Sequence, residues 1–121
     1  MEEVRMLDPA RALLRGVPTQ IATGVNATGN NQSNPFSILK SQNADGKIRL
    51  QGIGTFTALV ATVDMSMNGG TNWFTGPSVD LNANNPADPA PVFNASPGIL
   101  YRLTFTTVTQ TVPPNVLAVL V

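Results

Sequence analysis

The chain has 121 residues with no Cys and no His, and its seven basic and seven acidic side chains sum to a formal net charge of zero. That length sets one domain, able to bury roughly two-thirds of the surface its unfolded chain exposes. Without Cys there is no disulfide, thiolate nucleophile or zinc–thiolate site. Without His the commonest general base and metal ligand are both missing, and without net charge no long-range field draws in nucleic acid or an anionic membrane.

Taken in chain order, the charge comes first. Glu2, Glu3, Arg5, Asp8, Arg11 and Arg15 crowd the opening residues, while the rest of the chain is a thinly charged background of Thr, Val, Ala, Leu, Asn, Gly and Pro. This layout predicts an arm over residues 1–18 and a β-rich body over residues 19–121. Glu2, Glu3 and Asp8 break any positive n-region, so no secretory signal is expected. No apolar stretch reaches transmembrane length. Asp8 as N-cap and Pro9 at the first helical position predict a short helix through Ala10, Ala12, Leu13 and Leu14, ended by Gly16 and Pro18. So short a helix is marginal alone and needs a docking surface. Leu7, Ala10, Leu14 and Val17 would be its apolar stripe.

The body reads as short strands separated by turns. Thr19 to Gly24 is a strand, followed by the Asn-rich loop from Val25 to Pro35. Its triplets Asn26-Ala27-Thr28 and Asn31-Gln32-Ser33, and Asn94-Ala95-Ser96 later, match the N-glycosylation pattern. Without a secretory signal they are read as products of an Asn-rich surface. Phe36 to Lys40 is the next strand, and Asn43 to Gly46 a turn. Lys47 to Gly52 sets Ile48 and Leu50 against Lys47, Arg49 and Gln51. Gly52-Ile53-Gly54 is a bend. From Thr55 to Ser66, Leu59, Ala61, Val63 and Met65 alternate with Val60, Thr62, Asp64 and Ser66. Pro77, Pro86, Pro89, Pro91 and Pro97 keep regular structure short over residues 76–98. Ile99 to Val108 puts Ile99, Tyr101, Leu103 and Phe105 on one face, Pro113-Pro114 breaks the chain, and Asn115 to Val121 is a last apolar strand. The class expected is all-β: an antiparallel sandwich or jelly-roll-like domain with a short N-terminal helical arm.

Candidate chemistry is sparse. Ser66-Met67-Asn68-Gly69-Gly70-Thr71-Asn72-Trp73 predicts a hairpin whose glycines supply positive backbone angles. It resembles the Asp-box, S-x-D-x-G-x-x-W, with Asn68 in place of Asp. That motif is a structural hairpin found in sialidases and other β proteins and is not itself catalytic. Asp80-Leu81-Asn82-Ala83-Asn84 opens like a calcium loop, then fails. Asn85 stands where Gly is needed and Pro91 where a bidentate Glu is needed. Asp45, Asp64, Asp80 and Asp88 are the body's only carboxylates, and no spacing pairs them for acid–base work. No P-loop, nucleophile elbow or dinucleotide fingerprint is present. Lys40, Lys47 and Arg49 lack the interleaved aromatics of a nucleic-acid groove. No catalytic residue, cofactor or metal, and no nucleic-acid or membrane partner, is therefore expected.

The succession from the long apolar strand through Asn68-Gly69-Gly70-Thr71-Asn72-Trp73 and a Pro/Asn-rich stretch to Pro97-Gly98-Ile99-Leu100-Tyr101-Arg102-Leu103 resembles small β-sandwich structural proteins of tailed-phage virions. The likeness covers roughly residues 48–108 and is one of general pattern. It implies a non-enzymatic capsid decoration or cement protein that is made in the host cytoplasm and sits on the capsid surface. Its implied partners are the major capsid protein or another virion protein and copies of itself, as a trimer or another symmetric oligomer with the trimer favoured. Head-fibre, neck and tail components are alternatives within that class. Leu7, Arg11, Leu13 and Leu14 of the arm and Val119 and Val121 of the last strand are the expected contact residues. A carbohydrate-binding adhesin module is the rival outside that class, with Trp73, Phe74 and Tyr101 as its stacking residues.

Overall fold

A computed structural model describes residues 11–39, 46–81 and 91–121. Alternating apolar and polar side chains, rich in Val, Ile, Thr and aromatics, put most of these residues into strands. In chain order they are β1 (Arg11–Leu13), β2 (Thr19–Ala22), β3 (Phe36–Ile38), β4 (Lys47–Ser66), β5 (Phe74–Asp80), β6 (Val92–Asn94) and β7 (Leu100–Leu120). All seven join one sheet along the path β1-β3-β7-β4-β5, with β2 added to β7 and β6 to β4. The protein is all-β. The sheet is mixed, because β1 runs parallel to β3 while the other pairings are antiparallel.

The spine is the antiparallel pair β4–β7, in register from Ile48↔Leu120 to Ser66↔Leu100. A straight strand of 21 residues would span about 70 Å, yet the two ends of β7 lie close together. Tyr101 pairs with Phe36, Phe36 with Arg11, and Arg15 bridges Leu120 in parallel. That route is four residues of chain, about 13 Å, plus strand spacings of about 4.8 Å each. The ribbon must therefore fold back on itself.

Bulges explain how. Ile53 faces Asn115 but Thr55 faces Val112, so Gly54 alone stands against Pro113 and Pro114. Further register shifts fall at Thr55/Phe56, Phe56/Ala58 and Val60/Ala61. Each inserts an unpaired residue, bends its strand and raises the local twist. The Pro113-Pro114 break expected from sequence is thus a bulge within a continuous β7. Two prolines without N–H groups cost little where the ladder is already interrupted. Gly54 sits at φ 153°, and a Cβ there would lie 2.9 Å from Pro114 Cα.

Folding back brings the two halves of the ribbon onto one core. Phe36 and Tyr101 from one half meet Phe93, which β6 carries on the other, with ring centroids 5.7–6.2 Å apart. Ile48, Leu50, Val116, Ala118 and Leu120 join Leu59, Val63, Leu103 and Phe105 in the same buried cluster. The Tyr101 hydroxyl accepts the Ser96 N–H at 2.7 Å, which satisfies the one polar atom of that ring.

The helix expected in the arm is not seen. Arg11–Leu13 is β1, and Leu13 is fully buried while Leu14 and Val17 are 50% and 46% exposed. Local helix propensity over so few residues is worth little. It loses to three parallel pairings with β3 and the burial of Leu13. Gly16, at φ 77°, then turns the chain, donating its N–H to Leu120 O as Val17 N–H goes to Leu14 O. Residues 1–10, including Leu7 and the expected cap at Asp8, lie outside the described residues.

Candidate functional site

Two places on the body gather side chains that could do more than fill the core. The first is the β4–β5 hairpin and the strand beside it. Gly69 and Gly70 take φ 73° and 93°, as the Asn-Gly-Gly sequence predicts. The buried Ser66 hydroxyl accepts the Gly70 N–H at 2.9 Å and donates to Asn68 Oδ1 at 2.9 Å. Asn68 Oδ1 also accepts the Asn72 N–H at 2.9 Å, while Asn68 Nδ2 donates to Asn72 Oδ1 at 3.0 Å. An amide oxygen therefore fills the acceptor place of the Asp-box carboxylate, and the loop is closed without charge.

Behind the hairpin, Asp64 is buried at 6% exposure although the alternation placed it on the polar face. Its Oδ2 accepts Arg102 Nε at 3.2 Å and the Thr104 hydroxyl, and its Oδ1 accepts the Thr62 hydroxyl at 3.2 Å. Gln32 Nε2 donates to Thr104 Oγ1 at 3.3 Å. Arg102 lies with its guanidinium carbon 4.2 Å from the centroid of the Trp73 ring. The carboxylate, guanidinium and indole thus form one chain across β4, β7 and the loop that leads into β5. Every acceptor contact on Asp64 holds structure together, and among the described residues no second carboxylate stands with it. Among the described residues no three acidic side chains gather as a metal-ligand set.

The aromatic residues expected to stack on sugar do not form a platform. Tyr101 is 2% exposed in the core, Trp73 is half-buried beneath Arg102, and Phe74 alone is well exposed, at 46%. Asn82, Ala83 and Asn84 of the calcium-like loop lie outside the described residues.

The second place is the outer face of the β2–β7–β4–β6 half. Ile48, Leu50, Val116, Ala118 and Phe93 point into the core, so their neighbours point out. Residues directly paired across antiparallel strands share a face. Arg49 pairs with both Val119 and Val92, Gln51 with Leu117, and Leu117 with Gln20. Lys47 and Arg49 are exposed and Leu117, Val119 and Val121 half-exposed, with Val92 and Ile53 at 44% and 47%. The result is an aliphatic strip with two cations and the exposed amides of Gln20, Gln51 and Asn94 set in it. The described acids, Asp64 and Asp80, both belong to the other half of the ribbon, where Asp64 faces Arg102 and Asp80 faces Val60. Neither Lys47 nor Arg49 has an ion-pair partner among the described residues.

Of the contact residues expected from sequence, Val119 and Val121 lie on this strip and Leu14 is exposed beside Gly16, whereas Leu13 is spent on the core. Arg11 pairs through its backbone with Phe36. Sequence reasoning missed Val92, Leu117 and Ile53 as companions of Lys47 and Arg49. The alternation in Lys47 to Gln51 was a signal for the cations, but joining three strands into one surface needs the register.

No helix among the described residues is long and apolar enough to cross a membrane. No protein-family model, curated protein or solved structure matches the chain.

Proposed function

We propose that this chain is a non-enzymatic structural protein of a tailed-phage virion, of the capsid decoration or cement kind, which packs on shell subunits and on copies of itself. We read the folded ribbon as a jelly-roll-like sandwich, its two halves being the two faces. The observation that carries the proposal is the outer strip of Ile53, Leu117, Val119, Val121 and Val92 around Lys47 and Arg49. Apolar surface of this kind, grouped on one face of a rigid sheet, suits a partner surface better than water. A sparsely charged chain of zero net charge has little to oppose association. The mechanism is mass action: surface buried across subunit joints favours the assembled shell over separated subunits. A stable contact takes about 800 Å² from each partner.

The carbohydrate-binding reading loses ground because its three rings lie apart in burial, and only Phe74 offers an open face. An enzyme is less favoured again, since Asp64 is engaged by three donors. The experiment is immunogold electron microscopy with an antibody raised against the purified chain, on phage particles from the culture that produces it. Regular label over the head surface is expected, and label on the neck or tail would move the protein to those structures. Particles that carry no label overturn the reading.

A further inference from the structure

The cationic, aliphatic strip needs an occupant, and the chain itself contains one of matching chemistry. Residues 1–10 hold three acids, Glu2, Glu3 and Asp8, against one cation, Arg5, and carry Val4, Met6 and Leu7 among them. We propose that the outer face of β2, β7, β4 and β6 is the docking surface for residues 1–10 of a second copy of this chain. Glu2 and Glu3 would lie against Lys47 and Arg49, and the apolar residues on Val92, Leu117 and Val119.

One observation points to residues 1–10 as the occupant, and another favours a second copy over the chain's own segment. Charge complementarity is the first: Lys47 and Arg49 are exposed without an acid among the described residues, while residues 1–10 hold three of the chain's seven acids. The second is direction. Arg15 bridges Leu120, at the edge of this half, but toward the N-terminus the chain runs away from it to Arg11 beside Phe36, which pairs with Tyr101 of the other half. Ten further residues can extend about 33 Å beyond Arg11.

The inference deepens the assembly reading and rests on it. Its test leaves particle labelling untouched, so the two can fail separately. Four full-length chains are made: the parent, E2K/E3K, K47E/R49E, and the neutral K47Q/R49Q. Light-scattering mass is measured against concentration at low salt, with circular dichroism to check that each is folded. The parent should form a discrete oligomer. Both reversals should weaken association by about tenfold or more, since exposed pairs become like-charge contacts, with the neutral variant between them and the parent. The decisive sample is an equimolar mixture of E2K/E3K with K47E/R49E. In that mixture each acidic segment meets a cationic strip and each cationic segment an acidic strip, so the oligomer should return. A parent that stays monomeric, reversals that associate like the parent, or a mixture that stays dissociated would overturn the proposal. A dissociated mixture would mean that each chain covers its own strip.

Discussion

Gly54→Ala tests the folding back of the ribbon on which every surface described here depends. The new methyl would lie 2.9 Å from Pro114 Cα, 3.1 Å from Val112 O and 3.3 Å from Pro114 Cβ. Two of these are backbone atoms, which cannot swing aside as a side chain would. The φ of 153° is also one that an L-residue rarely adopts. Holding a side chain in such a conformation costs about 1–3 kcal/mol, and overpacking a tight site about 1–3 kcal/mol more. The expected loss is therefore about 2–6 kcal/mol, a large share of the roughly 5–15 kcal/mol that holds a domain of this kind. In a thermal melt followed by circular dichroism that is a fall of about 8–25 °C. Gly16→Ala and Gly29→Ala are the controls: both have positive φ, 77° and 84°, but nothing lies within 4 Å of either added Cβ. They should lose only the conformational part, about 1–2 kcal/mol. If Gly54→Ala melts with the two controls, Gly54 does not face Pro114, and the bulge that bends the ribbon is misplaced.

Other expectations follow from single contacts. Asp64→Ala leaves Arg102 and the Thr104 hydroxyl without their acceptor and should cost about 3–5 kcal/mol in urea unfolding. Asp64→Asn keeps an acceptor oxygen and should cost less, so equal losses would count against the network. Ser66→Ala removes the hydroxyl that takes the Gly70 N–H. It should lower stability by about 1–2 kcal/mol, while Asn68→Asp stays within about 1 kcal/mol because the acceptor survives. Arg102→Ala uncovers one face of Trp73, the single tryptophan of the chain. Its fluorescence should shift to the red and become more readily quenched by iodide, and an unchanged spectrum would refute the stacking.

Much of the body was legible because alternation is local. Ile48 and Leu50, and Tyr101, Leu103 and Phe105, are buried as their spacing requires. The hairpin at Asn68-Gly69 follows from backbone angles that few residues other than glycine tolerate. What escaped was set by partners distant in sequence. Arg11–Leu13 carries helical propensity, but pairs with β3 more than twenty residues away. Asp64 looked like a solvated carboxylate until the register placed Arg102 and Thr104 against it. Pro113-Pro114 reads as a break in one strand and becomes a bulge only once Gly54 is set opposite. The strip was hidden for the same reason, because Arg49, Val92 and Val119 become neighbours through two separate ladders.

The most direct test of the assembly account is reconstitution. Particles stripped of this chain are mixed with increasing amounts of the purified protein, and both bound chain and the temperature of shell disruption are measured. Saturable binding is expected, with a disruption temperature that rises with occupancy, as linkage requires of anything that binds the assembled state preferentially. Failure to bind, or binding that leaves the disruption temperature unchanged, would contradict the assembly account.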